Sequence, residues 1–599
     1  MRVSAVWLVL LAASATAAEI ATWEAGEPIR SNGLSLARGK LADYAIRKEG
    51  NRHFAVIVPG NDHFRRAAFL IRVEKRPPGD AWLTAEYLDR GYALISISPQ
   101  VPQTDQWGVA RLNTGKLRRA VFRLAGPALD HPLRIFGIEN LRALRLADAP
   151  PASEPVPHVA PAVALHKSIQ LVTSAGADTP TLEELPRALA SLCNQLPLVR
   201  ALGFEGVESY VKWNFVERSQ GVFDWSYYDA VVAEVEKHGL KWFPLLVAGP
   251  SYTLPDWYYN SAENVGYVCL EHRIGNSIQT IFTGNMDKYV RRFLAEFGKH
   301  YASRPVLLGV RLGVSGTYGE TQYPASGNWG YQGKFIHSHL GYWVADRFAV
   351  LDFRKWLASR YGDISKLNAA WTDQLDSFDR VETFLPITET PPRKVLDFTG
   401  WYLEAMNKFS DKWAHWAREA MPSTPIYQSC GGSGEIEVGT DFTFNSASMA
   451  GIKGGLRVTN EGDLYAENFA ITRLSSSATR FYGAAYGLEP AGFGTVRGVT
   501  ARLYNALTTG AEHLFYYGGN LFGNDQAIGA WLRYASLLDR RAHPMIDIAL
   551  FYPETQFKLQ ETSHRALLGR ARQMRAVTDF DYVSEQMVVD GALDRYRVL

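Results

Sequence analysis

Cysteine is scarce in this chain. Cys193, Cys269 and Cys430 are its three, too few and too scattered for a disulfide framework or a zinc site. Net charge is scarce as well. Lysine and arginine nearly balance the acids, leaving a formal +2, so there is no broad basic field of the kind that nucleic acid requires. Beyond the first residues no apolar run is long enough to span a bilayer. No glycine-rich nucleotide loop follows the first strand candidate, and no cofactor is signalled. His272, His337 and His339 show no ligand spacing along the sequence, so no metal is expected.

Aromatics, in contrast, are plentiful, with 16 Trp and 29 Tyr. Flat aromatic faces serve cores and sugar clefts alike. The chain's 599 residues exceed one compact core and imply about two to four domains. Residues 1–18 read as an export signal: Arg2, then the apolar stretch from Val6 to Ala12, then Ala15-Thr16-Ala17 as a small-residue cleavage site. The mature protein is expected to be exported, periplasmic or extracellular.

Residues 19–158 hold short alternating segments, among them His53–Val58, Ala67–Val73, Tyr92–Ser98 and Leu133–Phe136. Their spacing predicts a β-sandwich, either a carbohydrate-binding module or a packing module beside the catalytic domain. The proline-rich stretch Asp148–Pro157 is a linker. Over 159–540, strand and helix patterns alternate, which predicts an α/β (β/α)8 TIM barrel with insertions. The strand candidates lie near 168–174, 206–213, 241–247, 306–314, 425–429, 456–459, 480–487 and 513–517.

In this fold active sites lie at the C-terminal ends of the strands. The fourth strand candidate runs into Gly316-Thr-Tyr318-Gly319-Glu320, and the seventh into Tyr486-Gly-Leu-Glu489. Strands four and seven face each other across a closed barrel, so Glu320 and Glu489 can meet over its mouth. Two opposed carboxylates are what glycoside hydrolysis needs, one to protonate the leaving oxygen and one to attack or to activate water. Candidate sugar contacts are Lys212, Trp213 and Asn214 after strand two, Trp257, Tyr318, Tyr323 and Trp329 in loops, Asn460 and Glu461 after strand six, and Tyr517 on strand eight. The expected partner is an oligo- or polysaccharide.

The stretch Val216-Glu-Arg-Ser-Gln-Gly-Val-Phe-Asp-Trp225 and the segment Phe353–Trp371, expected as one helix, resemble signatures of clan A glycoside hydrolases, family 42 β-galactosidases above all. The tail 541–599 resembles the start of that family's flavodoxin-like trimerisation domain, which implies a homotrimer. About 55 residues cannot complete such a domain, so it is expected to be partial within this sequence. The resemblance implies Glu320 as acid/base, Glu489 as nucleophile, a retaining mechanism and a β-linked, galactoside-like substrate. One position departs. Clan A enzymes usually place Asn before the acid/base, and here it is Gly319. Gly319-Glu-Thr-Gln-Tyr-Pro324 instead resembles the acid loop of family 14 β-amylases, which invert. An inverting glycosidase, a catalytically silent sugar-binding barrel and a metal-dependent hydrolase are the alternatives.

Overall fold

The computed structural model describes residues 18–599, except 40–41, 59–67, 100–105, 153, 164, 166–167, 176–180, 460–463, 490–494, 540–543 and 561–562. The expected signal segment and the candidates Asn460 and Glu461 lie outside the described residues. The described residues form two compact units, those within 1–160 with 522–528 and those within 161–521 with 529–599.

The first unit contains two antiparallel sheets. One has Leu117–Leu124, Ala81–Leu88, Asn140–Ala147, Glu19–Glu24 and Arg30–Asn32 in spatial order, with the hairpin Tyr44–Glu49/Arg52–Ile57 joined to Asn140–Ala147. The other runs Leu34–Ala37, Phe69–Val73, Leu133–Phe136, Tyr92–Pro99, Gln106–Leu112. Inward residues alternate along Leu117–Leu124 and Leu133–Phe136, the two-residue period of a pleated strand. Both sheets feed one apolar core that includes Trp23, Leu83, Tyr87, Ile97 and Ile135.

The second unit is built on a parallel sheet. Its strands are Gln170–Ser174, Gly206–Glu208 with Tyr210–Lys212, Lys241–Trp242 with Leu245–Val247, Val310–Gly313, Ile426–Cys430, Gly455–Val458, Ala485–Leu488 and His513–Tyr516. Strands two and three are each interrupted, the third next to Pro244, which has no N–H to give. Phe243 N–H donates to the Val207 carbonyl at 2.9 Å and Leu245 N–H to that of Ser209 at 3.0 Å, carrying the ladder across both breaks. The ten segments are therefore eight strands. Strand two pairs with strand three at both ends of the strand order, so the sheet closes into a barrel. Val172, Phe243, Tyr427 and Phe515, from strands one, three, five and eight, fill its interior.

Two expectations are corrected. Arg480–Tyr482 are the last turn of the helix Tyr465–Tyr482, and strand seven begins only at Ala485. Gly483, with φ of +82°, ends that helix in the left-handed conformation that glycine tolerates best. The segment Phe353–Trp371 is two helices, Arg347–Tyr361 and Ile364–Trp371. Gly362 at φ +71° stops the first, and the Asp363 carboxylate accepts from Ser365 N–H to start the second.

The described residues of 544–599 include elements that pack against the helix Tyr465–Tyr482. Their parallel strands Ala549–Tyr552 and Asp581–Ser584 share an apolar cluster with Ala478. Arg473 pairs with Asp579 at 3.0 Å, and Ser477 Oγ donates to Asp581 at 2.9 Å. Among the described residues no helix is long and apolar enough to cross a membrane.

Candidate active site

The loop after strand four is tight and stapled on both sides. Glu320 N–H donates back to the Ser315 carbonyl at 2.9 Å, and Thr321 N–H reaches the Ser429 carbonyl on strand five at 2.7 Å. Gly319 sits at φ +90°, and a Cβ on it would lie 2.9 Å from Val247 Cγ2. A side chain such as Asn at 319 is therefore disfavoured twice, by backbone conformation and by contact. Glu489 is held from strand six, its N–H donating to the Val458 carbonyl at 2.9 Å.

These loops bring Glu320 and Glu489 into one cleft of about 630 Å³, together with Tyr210, Arg311, Tyr318, Gln322, Trp329, Thr459 and Tyr517. The two carboxylates differ in their surroundings. Glu320 accepts from the Thr459 hydroxyl and, at 2.6 Å, from the Gln322 amide. Burial of its carboxyl raises its pKa above the ordinary 4.5, and the Thr459 hydrogen bond and the Arg311 charge offset this only in part. Gly431 gives it room, since a Cβ there would stand 2.5 Å from Glu320 Oε2.

Glu489 is 1% exposed and meets cations. Arg311 and Arg457 both pair with its Oε2, Arg457 at 2.8 Å. The Tyr517 hydroxyl donates to Oε1 at 2.6 Å. The same two arginines also pair with Glu208, Arg311 at 3.2 Å. Two guanidiniums and two carboxylates thus form a closed, charge-balanced square at the floor of the cleft. Arg457 lies over the Phe515 ring at 4.3 Å. Burial, with the neighbouring Arg311, lowers its pKa to about 10, still high enough to keep it charged at neutral pH. His513 is buried beside it, and burial plus both guanidiniums hold its pKa well below 6.5, so it is neutral. Its Nε2 accepts from Arg457 at 3.3 Å.

Of the expected sugar contacts, Tyr318, Trp329 and Tyr517 line the cleft. Trp329 is 46% exposed and meets Tyr318 edge-on, with ring centroids 4.9 Å apart. The other candidates among the described residues make packing and hydrogen-bond contacts instead. Trp213 is fully buried, donates to Glu217 at 2.7 Å and packs on Trp257 and Tyr258. Trp257 donates to the Glu217 carbonyl at 2.9 Å. Tyr323 stacks on Tyr402 at 4.0 Å and donates to its carbonyl. Lys212 is buried over the rings of Phe215 and Tyr252. Asn214 donates to the Tyr252 carbonyl at 3.0 Å. Tryptophan and tyrosine bury large apolar faces, and in these loops the core claims them first.

Arg311, Arg457, Gln322 and Thr459 escaped the sequence reading. A signal for the arginines was present: each interrupts an aliphatic strand, Val310-Arg-Leu and Leu456-Arg-Val. A charge inside a buried strand calls for a partner. The sequence also concealed a cluster of Cys269, His272, His337 and His339, whose ligand atoms all lie within 4.8 Å of one another.

A family model described as β-galactosidase, of glycoside hydrolase family 42, matches residues 190–446. The β-amylase of Niallia circulans is 26% identical over 208 residues, which is 32% of this chain and only 35% of that protein's length. The catalytic domain of the Paenibacillus polymyxa β-amylase superposes with a TM-score of 0.51 at 19% identity, covering 62% of this chain and 99% of that one. The β-galactosidase of Rahnella sp. R3 superposes with a TM-score of 0.55 at 13% identity, covering 72% of this chain and 66% of that one. At such identities the superpositions speak for the fold. Residues 190–446 thus resemble the family 42 β-galactosidases, and the barrel has the fold of a β-amylase and of a β-galactosidase.

Proposed function

We propose that this chain is an exported glycoside hydrolase that cleaves a β-linked, galactoside-like sugar with two carboxylates and a retained anomeric configuration. The observation that carries the reading is the contrast between the two acids. Glu320 is buried among neutral donors with its pKa raised, which suits a proton donor. Glu489 is matched by two guanidiniums and a phenol, which suits a carboxylate that works as the anion. Glu320 protonates the glycosidic oxygen while Glu489 attacks the anomeric carbon. Glu320 then removes a proton from the water that releases the sugar. Trp329 and Tyr318 offer ring faces to the sugar's C–H side.

A second reading, inversion with Glu489 activating water, is favoured by one feature. Gly319 stands where a retaining clan A enzyme usually has Asn, and the β-amylases are among the relatives by sequence. The test is turnover of aryl α- and β-glycosides with the product anomer followed by NMR, using Glu320→Ala and Glu489→Ala beside the parent. Retention, rescue of Glu320→Ala by azide and a dead Glu489→Ala support the first reading. An inverted product supports the second, and turnover that survives loss of both acids refutes both.

The finer architecture belongs to the same proposal: the first unit as a β-sandwich, residues 541–599 as the opening of a flavodoxin-like module, and a homotrimer formed through that module. Sedimentation of the purified protein tests the trimer. N-terminal sequencing of the protein recovered outside the cytoplasm tests removal of residues 1–18.

A further inference from the structure

We infer that the C-terminal segment completes the cleft of its own barrel, where Arg565 and Glu435 together bind the leaving-group sugar, and that this sugar is a neutral one. The inference rests on the glycosidase reading and adds to it which part of the substrate is recognised, and by which residues.

The wall in question continues from the proton donor. Glu320 Oε2 faces Gly431, and the loop past strand five runs on as Gly432-Ser433-Gly434-Glu435. Gly432, Ser433 and Glu435 line the cleft, and so does Arg565. In glycoside cleavage the two carboxylates flank the scissile bond, and the acid is the one that meets the leaving oxygen. A wall that runs on from the acid therefore meets the group that leaves. At about 630 Å³ the cleft is larger than one sugar ring fills, so there is volume for that group.

Arg565 is brought to this wall by fixed contacts. It is the second residue of the helix His564–Arg575, which Ser563 caps by accepting from Ala566 N–H. His564, just before it, is buried with its ring edge-on to Tyr552 and Phe557. Gly434 fits closely against the same groups: a Cβ on it would stand 2.6 Å from the Tyr552 hydroxyl and 2.9 Å from His564 Nε2. The loop past strand five and the start of this helix are thus in direct contact.

Folding does not account for an arginine at that place. Arg565 is exposed and makes no hydrogen bond or ion pair with another described residue. The first turn of a helix favours acids over cations, yet this turn contains no acid. A guanidinium offers five N–H donors in a fixed fork and accepts nothing. Glu435 supplies the complementary group. Its carboxylate is oriented by Ser433, whose N–H donates at 2.8 Å and whose hydroxyl lies at 3.3 Å. A guanidinium and a carboxylate that line one cleft without bridging each other can serve the oxygens and the O–H groups of adjacent sugar hydroxyls. An acidic sugar would bring a second carboxylate beside Glu435, and for that reason the assignment is to a neutral one.

The test compares two substrates that share the cleaved sugar, galactose by the present reading. Nitrophenyl β-galactoside has an aryl leaving group, and β-linked galactotriose has sugars in its place. In Arg565→Ala the ratio of kcat/KM on the trisaccharide to that on the aryl glycoside should fall roughly 10- to 100-fold, the worth of a hydrogen bond to a charged group, chiefly through KM. Arg565→Lys keeps the charge but loses the fork and should lie between parent and Arg565→Ala. Melting curves should coincide, because the side chain is exposed. Galactotriose binding to Glu320→Gln, followed by calorimetry, should weaken by a similar factor when Arg565→Ala is added. An unchanged ratio, equal losses on both substrates, or unchanged binding overturns the assignment. A parent that prefers galactose linked to glucuronic acid over galactotriose, with the preference lost in Arg565→Ala, overturns the neutral class. A parent that turns over no glycoside removes the glycosidase reading, whereas calorimetry, read without turnover, still decides whether Arg565 binds sugar.

Discussion

Glu320 has neutral hydrogen-bond partners, Thr459 and Gln322, whereas Glu489 has two guanidiniums and a phenol. If Glu320 gives the proton, kcat/KM falls as pH rises through its pKa, which burial places above 4.5. A pH profile on an aryl glycoside with a poor leaving group should show that alkaline limb. In Glu320→Ala, with a leaving group that departs unprotonated, the limb should be absent. A limb unchanged by the substitution assigns it to another group. Glu208 supports a second expectation. It shares Arg311 and Arg457 with Glu489, and all four side chains are at most 3% exposed. Glu208→Gln leaves two buried guanidiniums facing one carboxylate, an imbalance that costs about 3–5 kcal/mol. Urea denaturation should show a loss of that size. Glu208→Gln with Arg457→Met restores one cation to one anion and should recover part of it. A double variant less stable than Glu208→Gln alone would show that packing, not charge, dominates the square.

At the scale of the element, the acid is aimed by two backbone positions with no room for a side chain. Gly431, just past strand five, faces Glu320 Oε2 so closely that an added Cβ would stand 2.5 Å from it. The backbone there is not in the left-handed region, so Gly431→Ala should fold while displacing the carboxylate. Misplacement by about 1 Å costs on the order of a hundredfold in rate. Assay beside a melting curve checks this, and a variant with full turnover would mean that Glu320 need not hold its position. The barrel itself was legible in the sequence because buried parallel strands are continuous aliphatic runs, and each run recurred at the spacing a helix demands. Both acids were legible because each closes such a run among glycines. What stayed hidden was direction. Trp213 follows the same strand end as a sugar-binding tryptophan would, yet its indole turns into a cluster with Trp257 and Tyr289, and nothing local specifies which way it turns. The start of strand seven was misread because Arg480–Tyr482 continue a helix whose stop signal is the single glycine that follows. The Cys269–His337 contact spans 68 residues, a separation that only the folded insertion closes.

At the scale of the barrel with its C-terminal segment, the contact surface carries buried acids as well as apolar groups. Glu554 and Asp441 approach each other in a pocket that also contains Lys558, Tyr552 and Tyr582. Burial first, and then the Asp441 charge, pushes the Glu554 pKa up to about 8. Asp441 meanwhile accepts from Thr443 and Phe444 N–H to cap the helix Phe442–Gly451, so it has reason to remain the anion. Glu554 is the member of the pair that keeps a proton at neutral pH. The sign of the consequence follows by linkage. Between the unfolded value of 4.5 and about 8 the folded chain binds the extra proton, so this group's contribution to stability declines as pH rises across that window and is constant above it. Glu554→Gln mimics the protonated acid at every pH. The stability of this variant minus that of the parent should therefore increase from pH 4.5 to about 8 and then level off. Hydrogen exchange of residues 549–584 should show the same trend, with parent amides opening faster at the alkaline end and variant amides insensitive to pH after correction for intrinsic rates. A difference that stays flat across the window would mean that Glu554 is ionised in the fold and that Lys558, 4 residues along the same chain, neutralises it.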